Sequence, residues 1–154
     1  MRVRFMRLLY RMAYVAIQVG ARFNRRASRG VKCLLTHDEK VLLVKHTYGL
    51  RDVWYLPGGN VRRAELPRDA AAREMREELG LSALELEVLA TVPMRLGHVR
   101  VTVTCLHASL EREAVKPDPV EIAQTGWFAS GSLPERLGPE VERFVWLLAQ
   151  RGQT

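Results

Sequence analysis

Cysteine is nearly absent: the chain of 154 residues has two, Cys33 and Cys105. Both lie in short apolar runs, and their separation fits neither a metal-ligand spacing nor a disulfide framework. They are expected as buried thiols in a reducing, cytoplasmic compartment. No uninterrupted apolar stretch is long enough for a membrane span, because Arg11, Gln18 and Arg22 break the one candidate near the N-terminus. No small-residue cleavage site follows that stretch, which argues against export. Internal repeats and low-complexity tracts are missing, and none of the serines sits in a nucleophile motif, so acyl-transfer chemistry has no support. Acidic residues are also missing from residues 1–32, where nine basic side chains are found. The rest of the chain carries 15 basic and 17 acidic groups. The net charge of +7 therefore belongs to an N-terminal arm, and the near-neutral body does not read as a nucleic-acid binder.

What is present is one domain's worth of hydrophobic residues, 47% of the chain, with ordinary charge content for a folded protein. From Val3 to Phe23 the pattern is helical: Arg4, Arg7, Arg11, Gln18, Arg22 and Arg25 form one polar stripe, with Phe5, Leu8, Leu9, Met12 and Val15 on the other faces. This amphipathic helix has two open placements. Its apolar side packs on protein, or residues 1–26 make peripheral contact with the inner face of a membrane, arginines toward anionic headgroups. Residues 24–30 read as a linker, dividing a basic arm at 1–29 from a body at 30–154.

In the body, Val31–Thr36 and Val41–His46 read as a hairpin about residues 37–40. A loop over 47–53, a short apolar stretch at 54–56 and Pro57-Gly58-Gly59 follow. Pro67 to Leu79 is expected as a helix, with proline in its first turn and Gly80 as its stop. Leu84–Val92 and Val99–His107 read as strands, 111–119 as a charged loop, the region around Gly126-Trp127-Phe128 as a strand, and Pro139–Arg151 as an amphipathic helix. The elements mix without strict alternation, which points to an α/β fold with a mixed sheet and helices on its faces.

The chemistry concentrates on the Pro67–Leu79 helix. Glu74, Glu77 and Glu78 stand at i, i+3 and i+4, so three carboxylates leave one turn on one side and repel each other. The residues four positions further on supply no countercharge. A solvated acidic face and a divalent-cation site are both compatible with that spacing; a hard cation relieves the repulsion and prefers oxygen ligands. The upstream glycines let backbone approach a ligand, and Glu65 is placed to meet Arg73.

Gly59, Glu65, Arg73-Glu74-Met75, Glu77-Glu78 and Gly80-Leu81 fill every specified position of a pattern that resembles the Nudix box. A chance match is of order 10⁻⁹ per window, which excludes coincidence. The similarity runs from Gly30-Val31 through Trp54-x-Leu56-Pro57-Gly58-Gly59 to Glu121 and Trp127-Phe128, roughly residues 30 to 130. The resemblance implies a Nudix-type α/β/α sandwich and hydrolysis of a phosphoanhydride bond in a nucleoside diphosphate linked to another group. It implies that Glu74, Glu77 and Glu78, with the Gly58 carbonyl, bind Mg²⁺ or Mn²⁺, and that Glu74 orients or deprotonates water. Arg73 would hold the carboxylates, with Glu65 and Gly59 in support, and Glu121 would be a further acid. A Nudix domain serving as a binding or regulatory module without turnover is the alternative, against which the intact glutamate set argues.

For a small nucleotide-like substrate, Lys45 and His46 at a strand end, Tyr48 and Trp54 as stacking surfaces, and Arg95, His98 and Arg100 around a strand are candidate contacts. Each has a plainer reading as a bonded, core or solvated side chain. Two positions depart from the family pattern. Ala64 stands where glycine commonly precedes the box glutamate, and Leu66 where Ser or Thr caps the helix. Pro93 is early for the spacing associated with ADP-ribose, and no tyrosine marks a dinucleoside polyphosphate class, so the substrate stays open.

Overall fold

The structure, a computed structural model, describes residues 3–9, 12, 28–96 and 99–152. Residues 3–9 are helical (α1); the remainder of the expected helix to Phe23, and the stripe positions Arg11, Gln18, Arg22 and Arg25, lie outside the described residues. The body contains β1 (Ser28–His37), β2 (Lys40–His46), α2 (Pro67–Leu79), β3 (Glu87–Leu96), β4 (Val99–Ser109), β5 (Ile122–Ala129) and α3 (Val141–Arg151).

The five strands form one sheet in the order β3-β4-β1-β2-β5. β1 and β4 run parallel and the other pairs antiparallel. The mixed sheet follows from the connections. A two-residue turn at Asp38-Glu39, with Asp38 at φ 50°, allows antiparallel β1 and β2. Reaching β4 beside β1 takes the longer excursion through α2 and β3.

Alternation along the strands divides the core into two layers. Val31, Cys33 and Leu35 of β1 and Leu42 and Val44 of β2 pack with Ala70, Ala71, Met75 and Leu79 of α2. Leu34, Val41 and Leu43 point the other way, onto Trp54, Leu56 and the Val141, Phe144 and Val145 face of α3. Both cysteines are buried, free thiols, one in each layer. The result is the expected α/β/α sandwich, with α2 pressed on β1 at the centre of the sheet.

Several boundaries differ from the sequence reading. β1 begins at Ser28 because residues 28–30 pair with Val101, Thr102 and Val103, so part of the expected linker is strand. β3 starts at Glu87, later than Leu84, and runs on past Pro93, whose side of β3 faces away from a further strand because β3 is the sheet edge. β5 extends back to Ile122 through pairing with β2. Trp54 is a core residue, edge-on to Phe128 at 4.8 Å between ring centres, not an exposed stacking surface.

α2 forms without a side-chain cap: Leu66 supplies none, and Pro67 in the first turn removes one amide that would otherwise need a partner. Gly80 ends the helix in the left-handed region at φ 65°, its N–H donating to the Arg76 carbonyl. The preceding turn is strained. Glu65 N–H donates to Arg62 O, which places Ala64 at the third position of the turn with φ 61°. A Cβ in that region costs about 1 kcal/mol relative to glycine. Ala64→Gly is therefore expected to raise the unfolding midpoint by about 2–4 °C. A calorimetric scan that shows no rise would remove strain at Ala64 as the explanation.

Candidate functional site

The site is assembled from α2 and the extended segment 56–60, which is laced to β1. Val31 N–H donates to Gly59 O at 2.9 Å and Cys33 N–H to Pro57 O at 2.8 Å. Between these two amides, Lys32 Nζ donates to Leu56 O at 2.9 Å. The ladder uses the carbonyls of Pro57 and Gly59 and passes over that of Gly58. Both glycines are required by contact. Gly58 has φ 136°, and a Cβ there would run into the Val31 carbonyl. A Cβ on Gly59 would lie 2.6 Å from the Glu74 carboxyl carbon. Backbone thus approaches α2 as closely as a missing side chain permits.

The three helix glutamates meet different surroundings. Glu78 is 1% exposed, and its Oε2 accepts from Gly58 N–H at 2.9 Å. Burial pushes its carboxyl up to about 8 from the ordinary 4.5, outweighing the opposing pull of the Lys32 charge and the Gly58 amide. Glu74 is half-buried and is also raised by desolvation, with Arg73 acting the other way. Glu77 lies at the exposed rim. The Glu121 carboxylate, just before β5, contributes the least of the named causes to the raised pKa of Glu78.

Arg73 organises the rest. Its Nε and Nη2 reach the two oxygens of Glu65 at 2.9 and 3.0 Å, and Nη2 also donates to Asn60 O at 2.9 Å. Nη1 donates to Glu74 Oε1 at 2.7 Å and to Glu77 Oε2 at 3.3 Å. Glu65 is held in turn by Arg62 N–H, and its pKa falls to about 2 because the guanidinium favours its charged form. The expected Arg73–Glu65 pair and the bridging of helix carboxylates by Arg73 are therefore present. Glu74 and Glu77 converge on a guanidinium while Glu78 turns inward, so the carboxylates share one helical turn but face three microenvironments.

The candidate substrate contacts divide. Lys45 lies 3.4 Å from Asp52 and 4.8 Å from the Trp54 ring centre. Tyr48 stacks on His46 at 4.9 Å. His46 is largely buried, which drives its pKa down to about 3 and leaves the imidazole neutral. All three gather near the β2–β5 end of the sheet. Arg95 and Arg100 are exposed partners across β3 and β4, near the start of β1 rather than near Lys45; His98 lies outside the described residues.

Sequence reasoning missed Lys32, Asn60 and Arg62. Lys32 had a legible signal, being the lone charge in the apolar run Val31–Leu35. It also pairs at 3.7 Å with Glu140, buried at the start of α3. Asn60 contributes through its backbone carbonyl, which no side-chain motif marks.

A family model described as the NUDIX domain matches residues 26–147. An RNA pyrophosphohydrolase of Saccharophagus degradans is 39% identical over 59 residues, covering 38% of this chain and 35% of that protein. An ADP-ribose pyrophosphatase of Mycobacterium tuberculosis is 40% identical over 75 residues, covering 48% of this chain and 36% of its own length. The chain thus spans about a third of these curated relatives. A crystal structure of a MutT NUDIX hydrolase from Burkholderia pseudomallei superposes with a TM-score of 0.73 at 24% identity, covering 80% of this chain and 98% of that one. That likeness establishes the shared fold.

The raised Glu78 carboxyl gives a signed expectation for stability. Between about pH 4.5 and 8 the folded, metal-free protein holds a proton there that the unfolded chain has released. Stability contributed by this group therefore falls as pH rises through that window. Glu78→Gln, which keeps an acceptor for Gly58 N–H, should flatten the decline and raise the midpoint by several degrees at pH 8 in chelator. Parallel unfolding curves for the two proteins from pH 5 to 9 would contradict the assignment.

Proposed function

The chain belongs to the Nudix family, and from that premise we propose that it is a divalent-cation-dependent hydrolase of a phosphoanhydride bridge in a nucleotide-like substrate. One observation carries the reading: Glu74 and Glu78 leave a single turn of α2 against the side-chain-free backbone of Gly58-Gly59, with Glu77 of the same turn at the exposed rim.

The donor set fits a hard cation. It consists of carboxylate oxygens from one helical turn. Among the described residues Glu74 and Glu77 are turned onto Arg73 and Glu78 onto the Gly58 amide, so the three do not converge as they stand and would have to exchange those partners for the ion. Glu74, Glu77, Glu78 and the Gly58 carbonyl would hold it, with Mg²⁺ or Mn²⁺ the ions of suitable chemistry. When bound, the ion neutralises phosphate oxygens and acidifies water.

The chain's own residues supply the remainder. Hydrolysis forms a bond from water oxygen to phosphorus and breaks the bridging P–O bond, whose electron pair leaves with the departing phosphate. The water proton passes to a carboxylate. Glu74 suits that role because desolvation has raised its basicity. Arg73, bound on three sides by Glu65, Asn60 O and the helix acids, keeps Glu74 from swinging. Glu121 adds a further acid next to Glu78. Lys45 and Tyr48, near the end of β2, are read as substrate contacts; Arg95 lies on β3, two strands away from β1, and its contact would require a substrate that crosses the sheet end.

The body, residues 30–154, is read as the catalytic unit and 1–29 as an appended basic arm. Two buried thiols support a cytoplasmic setting. Phe5, Leu9 and Met12 are exposed on the arm, which supports peripheral contact with a membrane. No helix among the described residues is long and apolar enough to cross one.

A panel of nucleoside triphosphates, sugar nucleotides, dinucleoside polyphosphates and 5′-triphosphorylated RNA, incubated with Mg²⁺ and resolved by mass, tests the reaction. Glu77→Gln should lower kcat on the preferred substrate by about 100-fold or more. If no member of the panel turns over faster with the wild type than with this variant, the domain is a binding module and the hydrolase reading is lost.

A further inference from the structure

An amphipathic helix normally turns its charges to water. In α1 charged and apolar side chains alike are exposed, with Arg7 the half-buried one. Arg4, Arg7 and Leu8, spaced i, i+3 and i+4, line the rim of an open cavity of about 680 Å³ against the body. Arg7 is anchored there, its Nε donating to the Pro119 carbonyl at 2.9 Å. Across the cavity stand Lys45, His46 and Thr47 from the end of β2, Arg51 and Asp52 from the following loop, and Ala123 and Gln124 from β5. Four permanent cations thus line the space with one carboxylate, Asp52, which lies 3.4 Å from Lys45. Mutual repulsion opposes gathering Arg4, Arg7, Lys45 and Arg51 around a shared volume unless an anion enters it. The volume lies in the range of small-ligand sites.

The segment 118–122 joins this cavity to the carboxylates. Asp118 N–H donates to Glu78 O at 2.8 Å on one side, and on the other the Pro119 carbonyl receives Arg7. The Val120 and Glu121 carbonyls receive the Thr47 hydroxyl and amide. The end of α2 and the cavity thus share the segment 118–122 as a common neighbour.

We propose that Arg4 and Arg7 of the N-terminal helix, with Lys45 and Arg51, form a polyanion site that selects substrates carrying additional phosphate beyond the scissile bridge. This inference rests on the hydrolase reading for its substrate class, though the anion site itself does not. The arm is then part of the specificity pocket, although it lies outside the stretch matched by the family.

The test uses the full chain and inorganic tripolyphosphate, titrated calorimetrically at constant ionic strength without divalent metal. Arg4→Ala/Arg7→Ala should weaken binding at least tenfold, and Arg51→Ala, on a different element, should weaken it independently. Arg4→Lys/Arg7→Lys should restore most of the affinity, which separates charge from detachment of the helix. With Mg²⁺, the double alanine variant should raise KM about tenfold for a nucleoside diphosphate bearing a sugar phosphate, and less than twofold for the same diphosphate bearing a neutral sugar. Wild-type binding of tripolyphosphate without hydrolysis of any substrate would retain the anion site and discard the hydrolase. Hydrolysis with unchanged KM and tripolyphosphate binding in the arginine variants would overturn the site. Arginine-dependent sedimentation with phosphatidylglycerol vesicles, in a protein that gives no tripolyphosphate heat, would overturn it in favour of a lipid headgroup.

Discussion

A carboxylate that is 1% exposed and bonded to a single backbone amide is the constraint on which this molecule turns. Glu78 faces the protein interior, where a charge is costly and a proton is retained. Glu78 is held there because the apolar face of α2 (Ala70, Ala71, Met75 and Leu79) packs on β1 and the segment 56–60 is laced to the same strand. Any side chain at Gly58 would meet the Val31 carbonyl, and any at Gly59 would meet Glu74. The backbone occupies the room that side chains would need, so Glu78 is held against the Gly58 amide while Glu74 and Glu77 turn to Arg73.

Arg73 is the counterpart of that constraint. Five donors on a planar fork allow one residue to hold Glu65, the Asn60 carbonyl, Glu74 and Glu77 together. A lysine would supply the charge without the geometry. The guanidinium therefore joins the loop before α2 to the helix itself. This bond compensates in part for the missing cap at Leu66 and the strained Ala64, because the loop is tied down by an ion pair where the backbone signals are weak.

Charge is partitioned in space as it is along the chain. The acids of α2 and Glu121 form one pole; Arg4, Arg7, Lys45 and Arg51 form another, with the segment 118–122 between them. A linear polyanion that spans both poles would engage cations on one side and, through metal, carboxylates on the other. Length and phosphate number then become the quantities such a protein can discriminate.

The box residues were legible as residues because helical spacing alone puts positions 74, 77 and 78 on one turn, and the hairpin and α2 were legible because turn and stop residues bracket them. Strand ends were read less well: β1 reaches back to Ser28 and β5 to Ile122 only because partners elsewhere in the sheet supply hydrogen bonds. Trp54 looked like a stacking surface until Phe128 and α3 covered it. Local periodicity and side-chain chemistry, which act over a few residues, determined the mixed α/β class, the helix and the identity of the acids, and the family resemblance implied the sandwich. Only the tertiary structure decided that Glu78 is buried while Glu77 is exposed, that Lys32 sits beneath the glycine turn, and that Arg7 of α1 reaches the Pro119 carbonyl. Those outcomes depend on which distant segments meet, and desolvation and charge pairing are properties of that meeting rather than of any stretch of chain.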